Sequence, residues 1–313
     1  MGNAAPLCGT DAAPVPPGAR AEWFSGAGGA RLRATLFPVA SAARGSVVLS
    51  PGRTEPIEKY FEVAAELTAR GFVVLAHDWR GQGLSQRLLP DRLKGHAVGY
   101  ADFLADHAAL IAAYEAQLPR PWVAVSHSMG GCLTALALAE GERRFAAAVL
   151  SAPMFGIRTP FPRPVDVMLA TTFCALGQGA NVPPGIPVTA APAAFEANAL
   201  THDRRRYDRN NAQVDACPDL ALGPPTWGWL DFAFRATREL KTGPGAPRAE
   251  VPVVVVAAGQ DRLVNNRDAR MVTARFPNGR FVEVAGAYHE ILQETDDIRA
   301  VFWREFDELV ARL

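Results

Sequence analysis

Trp122-Val123-Ala124-Val125-Ser126-His127-Ser128-Met129-Gly130-Gly131 runs from an apolar stretch through a small-residue turn into a helical pattern that continues to about residue 140. A sharp strand-to-helix turn of this kind strains the serine backbone and lifts its hydroxyl to the carboxyl end of a sheet, as in a nucleophile elbow. Small neighbours are needed because strand and helix pass close together, and Gly130 meets that need two residues after Ser128. Two residues before it, Ser126 stands where Gly is usual and adds one small side chain to the crossing. A serine here also suits a helix N-cap, so the motif alone leaves a purely structural Ser128 open.

Outward from this turn the chain keeps one rhythm. Ser46–Ser50, Phe72–Ala76, Ala146–Ser151, Val251–Ala257 and Arg280–Val284 are short apolar runs, separated by helical patterns near 57–70, 99–117, 267–275 and 296–312. Strands that are apolar throughout, alternating with amphipathic helices, imply an α/β fold whose mostly parallel sheet is covered on both faces. Ala21–Phe24 and Leu32–Phe37, parted by Gly26-Ala27-Gly28-Gly29, read as a hairpin. Between Pro153 and Ala246 the alternation stops and Pro and Gly crowd the chain. The expected organisation is a flexible N-terminal segment over 1–20, a core over 21–153 and 247–313, and an inserted cap over 154–246.

A serine hydroxyl is a poor nucleophile at neutral pH and needs a base, itself oriented by an acid. On this architecture the partners follow in the order serine, acid, histidine, each after a later strand. Gly259-Gln260-Asp261 follows one apolar run and Gly286-Ala287-Tyr288-His289 the next. Taken singly, Asp261 is as well explained by a turn and His289 by a surface loop. Three fitting residue types, in order, at strand ends where ligands bind in open α/β sheets, make a catalytic triad the better reading.

These residues carry a resemblance. With Pro51-Gly52-Arg53-Thr54-Glu55, Glu58-Lys59-Tyr60, Asp78-Trp79-Arg80-Gly81-Gln82-Gly83-Leu84-Ser85 and Pro224-Pro225-Thr226-Trp227-Gly228-Trp229, the chain is similar to α/β-hydrolases of the bacterial lysophospholipase and monoacylglycerol-lipase-like group, over about residues 20 to 310. The resemblance implies Ser128 as nucleophile, Asp261 as orienting acid and His289 as general base. It further implies an oxyanion hole built from the backbone N–H groups of Arg53 and Met129, with Pro51 standing where relatives often carry His. It assigns the Asp78 loop to the core and the site rim, and it calls for no metal and no organic cofactor.

Composition narrows the alternatives. The 313 residues include 32 basic and 32 acidic side chains, with no net charge, whereas nucleic-acid binders carry a basic excess; no nucleic-acid partner is expected. Cys8, Cys132, Cys174 and Cys217 are too scattered for a disulfide scaffold or a zinc site, and reduced thiols are expected. The start of the chain lacks the basic and apolar blocks of a signal peptide, which points to the cytoplasm. His77 reads as a buried, hydrogen-bonded histidine, and His127 as a neighbour of the nucleophile that points away from it.

The cap is rich in large apolar residues. Most should form its own core, while Trp227, Trp229 and Phe155 are candidates for contact with an acyl chain. Such a cap also suits weak contact with a membrane surface; the oligomeric state has no signature in the sequence. Arg204-Arg205-Arg206 with Arg209 could meet a phosphate, though Asp203 and Asp208 nearby favour a solvated helix face. The expected activity is therefore hydrolysis of a lipid-like carboxylic ester, a lysophospholipid or a monoacylglycerol, through an acyl-enzyme. An aspartate at the elbow would have signalled dehalogenase or epoxide hydrolase chemistry. Two rivals remain: a proline-releasing aminopeptidase, with Glu196, Asp215 or Asp219 binding the substrate amine, and a non-catalytic protein that keeps the fold.

Overall fold

The computed structural model describes residues 4–313; Met1, Gly2 and Asn3, the start of the expected flexible segment, lie outside the described residues. Strands β3 (Gly45–Ser50), β4 (Phe72–His77), β5 (Trp122–His127) and β7 (Val253–Ala258) are buried at every position. Side chains buried on both faces of a strand are what continuous apolar runs demand, and these strands occupy the sheet's interior. The edges fall to β1 (Arg20–Ser25) and β8 (Gly279–Val284), whose polar side chains leave them half-exposed. With β2 (Arg31–Phe37) and β6 (Phe145–Ser151) the sheet has eight strands in the order β1-β2-β4-β3-β5-β6-β7-β8. β2 pairs antiparallel with β1 and β4, and every other pairing is parallel. The expected α/β class, hairpin included, is observed.

Helices cover both faces. On one, α1 (Phe61–Ala69) and α8 (Asp296–Val310) pack Phe61, Leu67, Phe302 and Phe306 onto β3, β4 and β5. On the other lie α2 (Ala101–Tyr114), α3 (Ser128–Ala139) and α7 (Asn266–Thr273). The segment between β6 and β7 adds α4 (Arg163–Ala175), α5 (Arg204–Ala216) and α6 (Trp227–Thr242). α6 does double service. Its Phe232, Ala233, Ala236 and Leu240 belong to the main core beside α3, while Trp227 and Phe234 pack with Ala170 of α4 in a separate small cluster. The sequence pattern had placed all of α6 in the cap; a helix apolar on two sides can belong to both layers.

The N-terminal segment departs from expectation. Where a flexible stretch was expected, Ala5 N–H donates to the Ala21 carbonyl at 2.9 Å and Cys8 N–H to Glu58 Oε1 at 3.1 Å. Buried Arg33, paired with Glu58 and Asp78, also donates to the Pro6 carbonyl at 2.9 Å. Ala/Pro/Gly content carries no trace of such tertiary partners. Cys8 is moreover joined to Cys217, just past α5, in a disulfide, leaving Cys132 and Cys174 as thiols. This corrects the expectation of four reduced cysteines: a separation of 209 residues hides the pairing from the sequence. No helix among the described residues is long and apolar enough to cross a membrane.

The arginine run is split: Arg204 and Arg205 are exposed, as a solvated helix face requires, whereas Arg206 turns inward to carboxylates. Arg206 is buried and donates to Glu62 of α1 at 2.9 and 2.7 Å, to Asp203 at 2.7 Å and to Asp296 at 2.6 Å; Arg209 joins Glu62 at 2.6 Å. These bonds strap α5 onto the core. Burial would raise the Glu62 pKa, but the bonds from Arg206 and Arg209 outweigh it and hold the carboxyl down at about 2, against an ordinary value of 4.5.

Two outcomes are expected. Because the folded pKa of Glu62 is depressed, its contribution is fully present above pH 4.5 and is lost as pH falls through about 2. Glu62→Gln should therefore lower stability by about 1–3 kcal/mol near neutrality, with the gap to the native protein closing in acid; thermal unfolding at pH 7 and pH 2 measures both. Titration of unreduced, unfolded protein with a thiol reagent should find two free thiols, and four would refute the Cys8–Cys217 bond.

Candidate active site

Ser128 begins α3 with φ at 49°, a left-handed conformation that costs a non-glycine residue of order 1–3 kcal/mol. The neighbours over-determine it. A Cβ on Gly130 would collide with the Ser50 and Pro51 carbonyl oxygens, and one on Gly131 with the Pro153 side chain. α3 can therefore leave β5 this closely only with glycine at both positions. Ser126 fits because its hydroxyl bonds Thr134 Oγ1 of α3 at 2.8 Å, within a fully buried crossing.

The three residues that the sequence aligned by order meet in space. Ser128 Oγ lies 2.9 Å from His289 Nε2, and His289 Nδ1 lies 2.7 Å from Asp261 Oδ2. Asp261 follows β7 and His289 follows β8, both past the carboxyl ends of their strands. The second Asp261 oxygen accepts the N–H groups of Leu263 at 2.8 Å and Val264 at 2.9 Å. Burial would raise the Asp261 pKa; the bonds from His289 and the two amides reverse this and hold it below the ordinary value. A carboxylate fixed at Nδ1 leaves Nε2 as the acceptor facing the serine hydroxyl.

Past β3, the loop of Pro51–Thr54 comes up beside Ser128. Trp79 Nε1–H donates to the Pro51 carbonyl at 2.8 Å, and Gln82 clasps the loop by donating to the Gly52 carbonyl at 3.1 Å and accepting from Thr54 N–H at 3.0 Å. The Arg53 and Met129 amides have no acceptor among the described residues, and Met129 N–H belongs to the first turn of α3, where helices lack internal acceptors. Asp78 is engaged elsewhere, on Arg33 at 2.8 Å and the Ile57 and Leu84 amides at 3.0 and 2.9 Å. His77, expected as a buried histidine, bonds Ser50 Oγ at 3.1 Å, and burial lowers its pKa.

Beneath these loops lies a charged cluster that the sequence did not reveal. His127 places Nδ1 2.9 Å from Glu55 Oε2 and Nε2 3.2 Å from the His289 carbonyl. A carbonyl accepts only, so Nε2 donates, and an ionised Glu55 accepting at Nδ1 favours the doubly protonated ring. Burial would discharge it, but Glu55 raises its pKa and is itself held low by His127 and Lys59. Lys59 bridges Glu55 at 3.0 Å and Glu290 at 2.5 Å, while Gly52 N–H and Tyr60 OH also donate to Glu55, at 2.5 and 2.6 Å. Two cations and two anions thus cancel inside the protein and join the elbow, the Gly52 loop and the His289 loop. Glu55 and Lys59 stand four apart and could have been paired by spacing; Glu290 arrives from 231 residues away.

Ser128 and His289 lie on the wall of a cavity of about 650 Å³ between the sheet and the cap. Of the three apolar residues offered for acyl contact, Trp229 lines it. Phe155 is fully buried in the main core and Trp227 stacks on Phe173 at 4.7 Å inside the cap, so both face away. Among the described residues no cluster of side chains suits a metal ion.

Comparison with known proteins agrees with this architecture. Lysophospholipase L2 of Escherichia coli is 36% identical over 268 residues, 82% of this chain and 77% of that protein. A probable lysophospholipase L2 of Haemophilus influenzae is 32% identical, with 84% and 83% covered. A monoglyceride lipase of Saccharomyces cerevisiae, solved with a substrate analogue, superposes with a TM-score of 0.72 over 93% of this chain and 95% of its own, at 15% identity. The sheet order, the serine elbow and the cap are those of the α/β-hydrolase fold, and with residues 41–296 matching its pattern the chain belongs to the serine aminopeptidase S33 family.

Proposed function

We propose that the protein is a serine hydrolase that cleaves the carboxylic ester of a single-chain lipid, a lysophospholipid or a monoacylglycerol. One observation carries the reading: the unbroken Ser128–His289–Asp261 hydrogen-bond chain opens onto a cavity of acyl-chain size. His289 Nε2 takes the proton as Ser128 Oγ attacks the ester carbonyl. The tetrahedral oxyanion is met by the amides of Arg53 and Met129, donors aimed at charge that develops in the transition state. His289 returns the proton to the leaving alcohol, and water, activated by the same nitrogen, then frees the acid. Asp261 fixes the tautomer and stabilises the imidazolium. Every step is supplied by side chains and backbone amides of this chain.

The cavity supports a lipid tail. Its wall includes Met154, Ile157, Leu200, Leu222, Trp229 and Leu230, and each buried CH₂ contributes about 0.8 kcal/mol. The aminopeptidase reading gains less. Glu196 pairs with Arg204 at 3.1 Å and Asp219 with Arg92 at 3.4 Å, both away from the cavity, which leaves Asp215 as the candidate amine partner on the wall.

Ser128→Ala should lower hydrolysis of long-chain aryl esters by on the order of 10⁶-fold, and Asp261→Asn by on the order of 10⁴-fold. Initial rates on purified variants measure this, and near-native turnover by Ser128→Ala would end the proposal. A fluorophosphonate should label the native protein once, and Ser128→Ala not at all. Cleavage of a prolyl arylamide without ester cleavage would instead favour the peptidase.

A further inference from the structure

The cavity wall carries three guanidinium groups, and among the described residues none of them has a carboxylate within ion-pair distance. Arg53 is half-buried, its plane 5.2 Å over the Trp229 ring. It donates to Thr54 Oγ1 at 3.1 Å and to the Gly223 carbonyl, while its Nε–H is buried without any acceptor. Burial lowers its pKa to about 10. A cation taken out of water with neutral partners only is costly unless a ligand supplies the counter-charge.

The other two stand exposed at the rim, and their placing is built into the fold. Residues 156–158 pair with 263–265: Ile157 bridges Val264, Asn265 N–H donates to the Gly156 carbonyl at 2.9 Å and Arg158 N–H to the Leu263 carbonyl at 2.8 Å. Arg158 Nε also donates to the Val264 carbonyl at 3.1 Å, and Arg262 lies 5.3 Å from the Tyr288 ring, beside His289. The wall's carboxylates do not balance them. Glu55 and Glu290 are neutralised by His127 and Lys59, so only exposed Asp215 faces three arginines.

We propose that Arg53, Arg158 and Arg262 form a subsite for the phosphate of a glycerophospho head group, next to the ester held at Ser128. The inference rests on the ester-hydrolase reading and adds the class of head group. Guanidinium forks match phosphate oxygens in geometry and charge, whereas the neutral glycerol of a monoacylglycerol offers three unpaired cations nothing. The Arg204–Arg206 run, already neutralised by Glu62, Asp203, Glu196 and Asp296, is not part of the wall.

The test compares kcat/KM for 1-oleoyl-lysophosphatidylglycerol and 1-monooleoylglycerol, which share an acyl chain and differ in the phosphate. The native protein should favour the phosphorylated ester. Arg158→Gln/Arg262→Gln should lower the ratio by on the order of tenfold or more, chiefly through KM of the phosphorylated substrate. Arg53→Gln is read by the same ratio, because a disturbed oxyanion amide slows both esters alike and a lost phosphate partner slows one. Arg205→Gln, on the exposed run, should leave the ratio in place. A ratio unchanged in both arginine variants, with both esters still hydrolysed, overturns the subsite, as does a fall in the ratio caused by Arg205→Gln alone. A native protein that cleaves neither ester overturns the hydrolase reading and the subsite with it.

Discussion

Ser128 sits in a backbone conformation that a serine does not choose, and the approach of α3 to β3 and β5 keeps it there. Two glycines allow the approach: Gly130 lies against the Ser50 and Pro51 carbonyls and Gly131 against Pro153. The same contact seats the Pro51 carbonyl against the first turn of α3, and Arg53 and Thr54 share a cavity wall with Ser128. Ser128 and the Pro51–Thr54 loop are therefore positioned by one packing constraint, and a wider crossing would separate them. Strain of order 1–3 kcal/mol is small beside the burial of the surrounding sheet, in which β3, β4, β5 and β7 have no exposed residue.

The buried quartet of Glu55, Lys59, His127 and Glu290 serves the same end by electrostatics. A buried ion pair is weak evidence for stability, since desolvation offsets attraction. Its geometry here does something packing cannot. One Glu55 oxygen collects Gly52 N–H, Tyr60 OH and His127, and His127 in turn holds the His289 carbonyl. The Gly52 loop, the elbow and the His289 loop are joined through directional bonds whose charges cancel. Arg206 plays a comparable part, strapping α5 to α1 and to Asp296 at the start of α8 and so fixing one wall of the cavity.

Charge thus divides between structure and site. Arg33, Arg80 and Arg206 are each committed to two or more carboxylates and are structural. Among the described residues Arg53, Arg158 and Arg262 have none, and they line the cavity. A run of four basic residues within six positions is conspicuous in the sequence, yet the fold consumes it; the three dispersed arginines are inconspicuous, yet the fold leaves them available.

The sequence by itself determined the strand and helix rhythm, the sheet class and the residues that meet at Ser128. Those properties are local: apolar runs report strands buried on two faces, glycines report a close crossing, and order along a wound sheet sets which loops share an end. Tertiary structure alone decided what depends on distant partners. Cys8 finds Cys217, Pro6 finds Arg33, Glu290 finds Lys59, and Arg206 finds Glu62, over separations from 27 to 231 residues. It also turned Phe155 and Trp227 into the cores while leaving Trp229 on the cavity wall. An apolar side chain is equally content against a core or a ligand, so only the direction it faces in the folded chain distinguishes the two.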